Sequence, residues 1–135
     1  MSSLSEKIAR ARAEFETAEP SEVPVVVGGE LTTIAFLPVD GETWEEIKAT
    51  NPARPGALRD SNVGYNTDGA AKDYPVERIT VDGESITEEK WLELLSVLKS
   101  PSRSDIAAML WGINWQEAKA ELGKALMDSQ GSGSS

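Results

Sequence analysis

Few residues in this 135-residue chain are of the types that carry catalysis, and histidine and cysteine are absent. Their absence removes the commonest general base, the thiol nucleophile, zinc-finger ligand sets and any disulfide framework. What remains is carboxylate chemistry. Glu45–Glu46 and Glu88–Glu89 are the adjacent pairs that acid–base work could use. Neighbours in sequence do not face each other on a helix. Both pairs are expected in first turns of helices, where the dipole favours negative charge. A second candidate is the calcium-loop-like run that starts at Asp60 and continues through Asn62, Asn66 and Asp68. Tyr65 stands where the turn glycine belongs and Ala71 where the bidentate glutamate belongs, so a polar loop is expected instead of a metal site. There is no glycine-rich phosphate loop, nucleophile elbow or metal-ligand spacing. The expectation is a protein without cofactor or metal that is not an enzyme.

A third pattern is a helix-turn-helix-like run over residues 104–126, with Ile106-Ala107 followed by Gly112-Ile113-Asn114. Its second segment sets Glu117 and Glu121 against Lys119 and Lys124, so it is charge-neutral. The whole chain carries −10 from 13 basic and 23 acidic residues, which argues against a nucleic-acid partner. Such affinity rests on neutralising phosphates with Lys and Arg. No apolar run approaches a membrane span, and Met1-Ser2-Ser3 leads into charged sequence instead of a signal peptide, so a soluble intracellular protein is expected.

The elements that must position these residues follow from patterning. Residues 3–18 read as a helical arm with a thin stripe of Leu4, Ile8, Ala11 and Phe15, docking by one face or on a partner. Pro20 ends it. Residues 23–27 and 31–39 flank Gly28-Gly29 and read as a β-hairpin. Val25, Val27 and Ile34 lie on those strands with few edge-protecting charges, which makes them the candidate self-association edge of a homo-oligomer. Thr43 and Glu46 have capping-box spacing for a short helix to about residue 49. Residues 51–65 hold two prolines and two glycines and read as a long loop. A short helix over 68–74 and a half-buried strand over 76–81 come next, and Asp82-Gly83 turns the chain.

The last third of the chain holds three of the four tryptophans. A helix over 87–98 buries Trp91, Leu94, Leu95 and Leu98, and a break follows at Pro101. A second helical stretch over 104–127 has the stripe Ile106, Met109, Leu110 and Ile113. It kinks near Gly112 and Asn114 and resumes with Trp115, Ala118, Leu122 and Leu126. Residues 131–135 are a low-complexity Gly/Ser end. The expected organisation is an arm over 1–19, one domain over 20–128 and a flexible tail over 129–135. The expected fold class is α+β: a small β-hairpin extended to a three-stranded sheet and packed against the C-terminal helices, with an N-terminal helix.

Trp111 falls off the Ile106/Met109/Leu110/Ile113 stripe. Either a second packing surface covers this helix or Trp111 faces a partner, a setting in which tryptophan is enriched. Trp111, Ile113, Trp115 and Leu122 are therefore the candidate client-binding residues.

Several segments together carry a resemblance. These are Tyr74-Pro75, the run from Ile79 to Glu84, Ile86-Thr87, the run from Trp91 to Leu95, Leu110-Trp111-Gly112-Ile113-Asn114, and Leu122-Gly123-Lys124. Over residues 24–126 the chain resembles the short form of the tail assembly chaperones of siphophages that infect actinobacteria. The resemblance implies a holdase that binds the tape measure protein and keeps it soluble until tail tube subunits polymerise around it. It implies action in the host cytoplasm and absence from the mature virion. It also implies a longer form of the same protein, made by a programmed frameshift for which Gly123-Lys124 is the expected place. The alternatives are a structural neck or tail-completion protein of the virion and, with charge against it, a helix-turn-helix regulator.

Overall fold

The computed structural model describes residues 2–133. The chain runs α1 (Leu4–Thr17), β1 (Ser21–Val27), β2 (Glu30–Phe36), α2 (Gly41–Thr50), α3 (Leu58–Val63) and α4 (Thr67–Asp73). A 3-10 turn (Val76–Arg78) leads to β3 (Ile79–Val81) and β4 (Glu84–Ser85). Then come α5 (Glu88–Val97), α6 (Ser100–Trp111), a π turn (Gly112–Gln116) and α7 (Glu117–Gly133). The class is α+β.

The strands form one antiparallel sheet in sequence order, β1-β2-β3-β4. Gly28 and Gly29 both have positive φ, 59° and 80°, which lets a two-residue turn follow the strand twist. Asp82 and Gly83 repeat the device at 51° and 80°. The Asp82 carboxylate also accepts from the Thr33 N–H at 2.9 Å, pinning β2 to this turn. β4 is the strand missing from the three-stranded expectation, and it is only two residues long. The expected strand over 76–81 begins instead as the 3-10 turn, so only Ile79–Val81 pairs with β2.

One sheet face supplies Val23, Val25, Ile34, Phe36 and Ile79 to the core. Helices α4, α5 and α6 add Ala70, Ala71, Trp91, Leu95, Ile106 and Leu110. Phe36 sits edge-on to both Tyr74 and Trp91, at 5.8 Å in each case. The Trp91 indole N–H donates to the Ala71 carbonyl at 2.8 Å, so the largest buried ring brings its polar atom in satisfied.

The self-association edge expected at Val25, Val27 and Ile34 is corrected at Ile34, whereas Val25 and Val27 lie on β1, an outer strand of the sheet. Ile34 is fully buried on an inner strand, and Val25 points into the core. Val27 is half-buried against that core. The hydrophobic residues that suggested an edge are the ones the sheet spends on its core face. The outer strands are β1 and the two-residue β4; β1 carries Glu22 and Pro24, and α6 lies against it across a groove that both residues line. A proline offers no N–H to an incoming strand.

Residues 51–65 are not a loop throughout. They contain α3, and Pro52 bridges Tyr65, which is buried. Helix α2 is capped by Asp40, whose carboxylate accepts from the Thr43 N–H at 3.0 Å, and not by Thr43. Glu45 and Glu46 therefore lie one turn further in than expected, and Glu45 pairs with Lys48 at 3.0 Å. Glu88 and Glu89 do occupy the first turn of α5, behind the Thr87 cap. The expected break falls at residues 98–99, between α5 and α6, and Pro101 sits in the first turn of α6. Helix α7 runs through Gly133, into the Gly/Ser end. Residues 134 and 135 of the expected tail lie outside the described residues.

Candidate functional site

The π turn at Gly112–Gln116 is the local feature from which the site is built. The Glu117 N–H bonds back to the Gly112 carbonyl, one residue further than an α-helix allows. The extra residue rotates everything downstream by about 100° relative to a continuous helix. Asn114 holds the turn. Its side-chain oxygen accepts from the Val39 N–H at 3.0 Å, and its amide donates to the Tyr74 hydroxyl at 3.1 Å and the Leu110 carbonyl at 3.0 Å. Tyr74 in turn donates to the Leu37 carbonyl at 2.6 Å. The distinctive Leu110–Asn114 sequence is thus a structural joint between α6, the end of β2 and α4. Gly112 is right-handed, and an added Cβ would meet only ordinary contact, so its role is not one of close approach.

Across this joint runs a line of aromatic rings. Trp44 is buried and edge-on to buried Tyr65 at 5.3 Å. Tyr65 lies 6.4 Å from Trp111, and Trp111 stacks on Trp115 at 5.5 Å with 24° between planes. The Lys48 ammonium sits 5.4 Å over the Trp115 ring. The ladder climbs from the core to the surface: Trp111 is half-buried, and Trp115 is 42% exposed. Beyond it every residue through Gln130 is exposed. Helix α7 therefore presents Leu122 and Leu126 at helical spacing, 52% and 56% exposed, with Met127 beside them.

Of the four candidate client-binding residues, Trp115 and Leu122 lie on this exposed surface and Trp111 lies at its root. Ile113 is a correction: it is buried in the core with Ile106 and Leu110 of α6, from which it stands seven and three residues on. Sequence reasoning did not reach Trp44, Lys48 or Tyr65. They are distant in sequence from Trp111, and no local pattern joins them.

Two polar atoms of the ladder, the Trp44 indole N–H and the Tyr65 hydroxyl, are buried without a protein partner. Burial and the charge of Asp60 push the Tyr65 phenol up to about 12.

The run that imitates a calcium loop has another use. Asp60 is completely buried and receives a bidentate pair from Arg54, at 2.8 and 3.0 Å, plus the backbone N–H groups of Arg54 and Thr67. Arg54 reaches on to Asp68 at 3.0 Å, and Arg103 joins Asp68 at 3.3 Å. The Arg54 guanidinium holds the Asp60 carboxyl well below the usual carboxylate range. Its acceptor capacity is taken up by protein donors. Among the described residues no group of three or more acidic side chains is gathered as metal ligands would be.

Comparison with protein-family models, with curated proteins and with solved structures finds no match.

Proposed function

We propose that this chain is a tail assembly chaperone that binds the tape measure protein and keeps it soluble during tail assembly. The observation that carries this reading is α7, a seventeen-residue helix whose Leu122 and Leu126 are exposed and extend the surface begun by the outer edge of Trp115. A helical client can be gripped through residues spaced i, i+3, i+4 and i+7. Tryptophan at the root of such a surface is a common anchor. The reading supposes binding and no catalysis, and the acidic charge keeps the complex dispersed. It places the protein in the host cytoplasm and outside the finished virion. No helix among the described residues is long and apolar enough to cross a membrane. A frameshift at Gly123-Lys124 would keep the whole core and replace only the distal part of α7.

Co-expression with the tape measure protein tests the reading. The wild-type chain should retain it in the soluble fraction and co-purify with it. Leu122→Asp and Leu126→Asp should abolish both effects with unchanged thermal unfolding, since neither residue is buried. Full retention of the client by the double variant would refute the α7 surface. Recovery of the protein in purified particles would favour the virion-component alternative.

A further inference from the structure

Helix α1 leaves most of its apolar stripe exposed, although Phe15 at its end shares grooves with Pro38 and Val39. None of its fourteen residues is buried, although Leu4, Ile8, Ala11 and Phe15 form an apolar stripe. Leu4 is 72% exposed. The helix is well made: the Ser3 hydroxyl accepts from the Glu6 N–H at 3.2 Å and donates to the Glu6 carboxylate at 3.1 Å. Its base is fixed, because Arg78 donates to both the Phe15 and Pro38 carbonyls. An isolated helix of this length is marginal in water.

The stripe alternates spacings of four and three residues, which is the core repeat of a coiled coil. We propose that α1 pairs with α1 of a second copy of this chain, antiparallel, as a short two-helix coiled coil. In that register Leu4 of one copy meets Phe15 of the other, and Ile8 meets Ala11. Every position of the stripe finds an apolar partner, and the layers match a large side chain with a small one at the centre. The two-fold axis produces each contact twice.

Charge selects the direction. Lys7 and Glu14 stand one heptad apart on the same flank of the stripe. Antiparallel pairing sets each Lys7 against Glu14 of the other copy. Parallel pairing would set Lys7 against Arg12, a like-charge contact. The helix as a whole is neutral, with Lys7, Arg10 and Arg12 balancing Glu6, Glu14 and Glu16, so the acidic protein does not repel itself here. Two helices of fourteen residues bury less than the roughly 1,600 Å² of a standard interface. The dimer is therefore weak and salt-sensitive. It does not depend on any client.

Sedimentation velocity of the whole chain, from about 10 μM to about 1 mM, is the test. A dimer should form as concentration rises and weaken in about 0.5 M salt. Ile8→Asp should abolish it without changing thermal unfolding of the core. K7E and E14K should each raise the dissociation constant about tenfold, two exposed ion pairs being replaced by repulsion. The double variant K7E/E14K should return it to near the wild-type value, which a loss of folding would not do. The chain has no cysteine of its own. Under oxidation L4C mixed with F15C should therefore cross-link, and L4C alone should not. A monomer across the whole range would overturn the proposal, as would a dimer that survives Ile8→Asp. Self-cross-linking of L4C would overturn the antiparallel geometry.

Discussion

Truncating the tryptophans of the ladder one at a time should separate folding from binding along its length. Trp44 is buried, and loss of a buried tryptophan typically costs 3–5 kcal/mol, or about that. Its indole N–H has no protein partner, so removing it returns part of a penalty of about 1–3 kcal/mol. Trp44→Ala should therefore destabilise by about 3 kcal/mol. Trp111 is half-buried and makes two ring contacts, with Tyr65 and Trp115. Each is worth about 0.5–1.5 kcal/mol beyond area, so Trp111→Ala should cost about 2–3 kcal/mol in all. Trp115 is 42% exposed and keeps one stack and the Lys48 contact. Its truncation should cost about 1 kcal/mol. For a domain of this size each kcal/mol moves the midpoint by about 3–6 °C, well within reach of circular dichroism melts. Client retention should run the opposite way. Trp115→Ala should lose the tape measure protein while folding almost normally, with a binding penalty of about 2 kcal/mol or more. Equal destabilisation by Trp44→Ala and Trp115→Ala would refute the burial gradient. A Trp115→Ala variant that holds its client as well as the wild type would refute the binding role.

Three further outcomes follow from the buried polar groups. The folded-state pKa of Asp60 lies below its unfolded value of about 3.9. Its contribution to stability is therefore complete above that value and lost as pH falls through the folded pKa, and Asp60→Asn should flatten the acid limb of an unfolding titration. Burial pushes both Tyr65 and Tyr74 up to about 12, so each stabilises fully below pH 10 and loses that contribution between pH 10 and 12. The loss is about 2–3 kcal/mol for each, and Tyr65→Phe should remove one share of it. Gly69→Ala should cost about 1–3 kcal/mol, because a Cβ there overlaps the Asn51 side chain. Asn51 cannot move freely: its amide donates to the Ile47 carbonyl at 2.9 Å and to Asp73 at 2.8 Å.

What the sequence made legible was local. Gly28-Gly29 and Asp82-Gly83 announced their turns because positive φ is a property of those residues themselves. Thr87 and the Trp91/Leu95/Leu98 stripe announced α5 because cap and period lie within one segment. The interruption near Gly112 and Asn114 was visible as a kink, although its form as a π turn depends on Val39 and Tyr74, which no local pattern supplies. Strand order was not legible. Val25 does lie on an outer strand, but Ile34 looks like an edge residue until β3 is placed beside β2 and makes it central. The segment before Tyr65 misled for the same reason. Its prolines, glycines and polar residues resemble a solvated loop, but buried Asp60, held by the partly exposed Arg54, turns part of that polarity inward. The aromatic ladder joins three segments far apart in the chain, so only the folded arrangement displays it.

The distribution of charge over the molecule bears on the proposed binding of a client by so acidic a chain. Helix α7 carries Glu117, Glu121 and Asp128 against Lys119 and Lys124, and α1 is neutral. Nearly all of the −10 net charge therefore lies on the segments between them. The folded core repels other cores over a distance of about one Debye length, roughly 8 Å at physiological salt. The two unburied helices carry little of that charge themselves. Adding acidic residues to the core surface should leave client binding intact. Adding the same number along α7 should weaken a neutral or acidic client and strengthen a basic one. The sign of that response, read by pull-down against salt concentration, would report the charge of the client segment that α7 is proposed to meet.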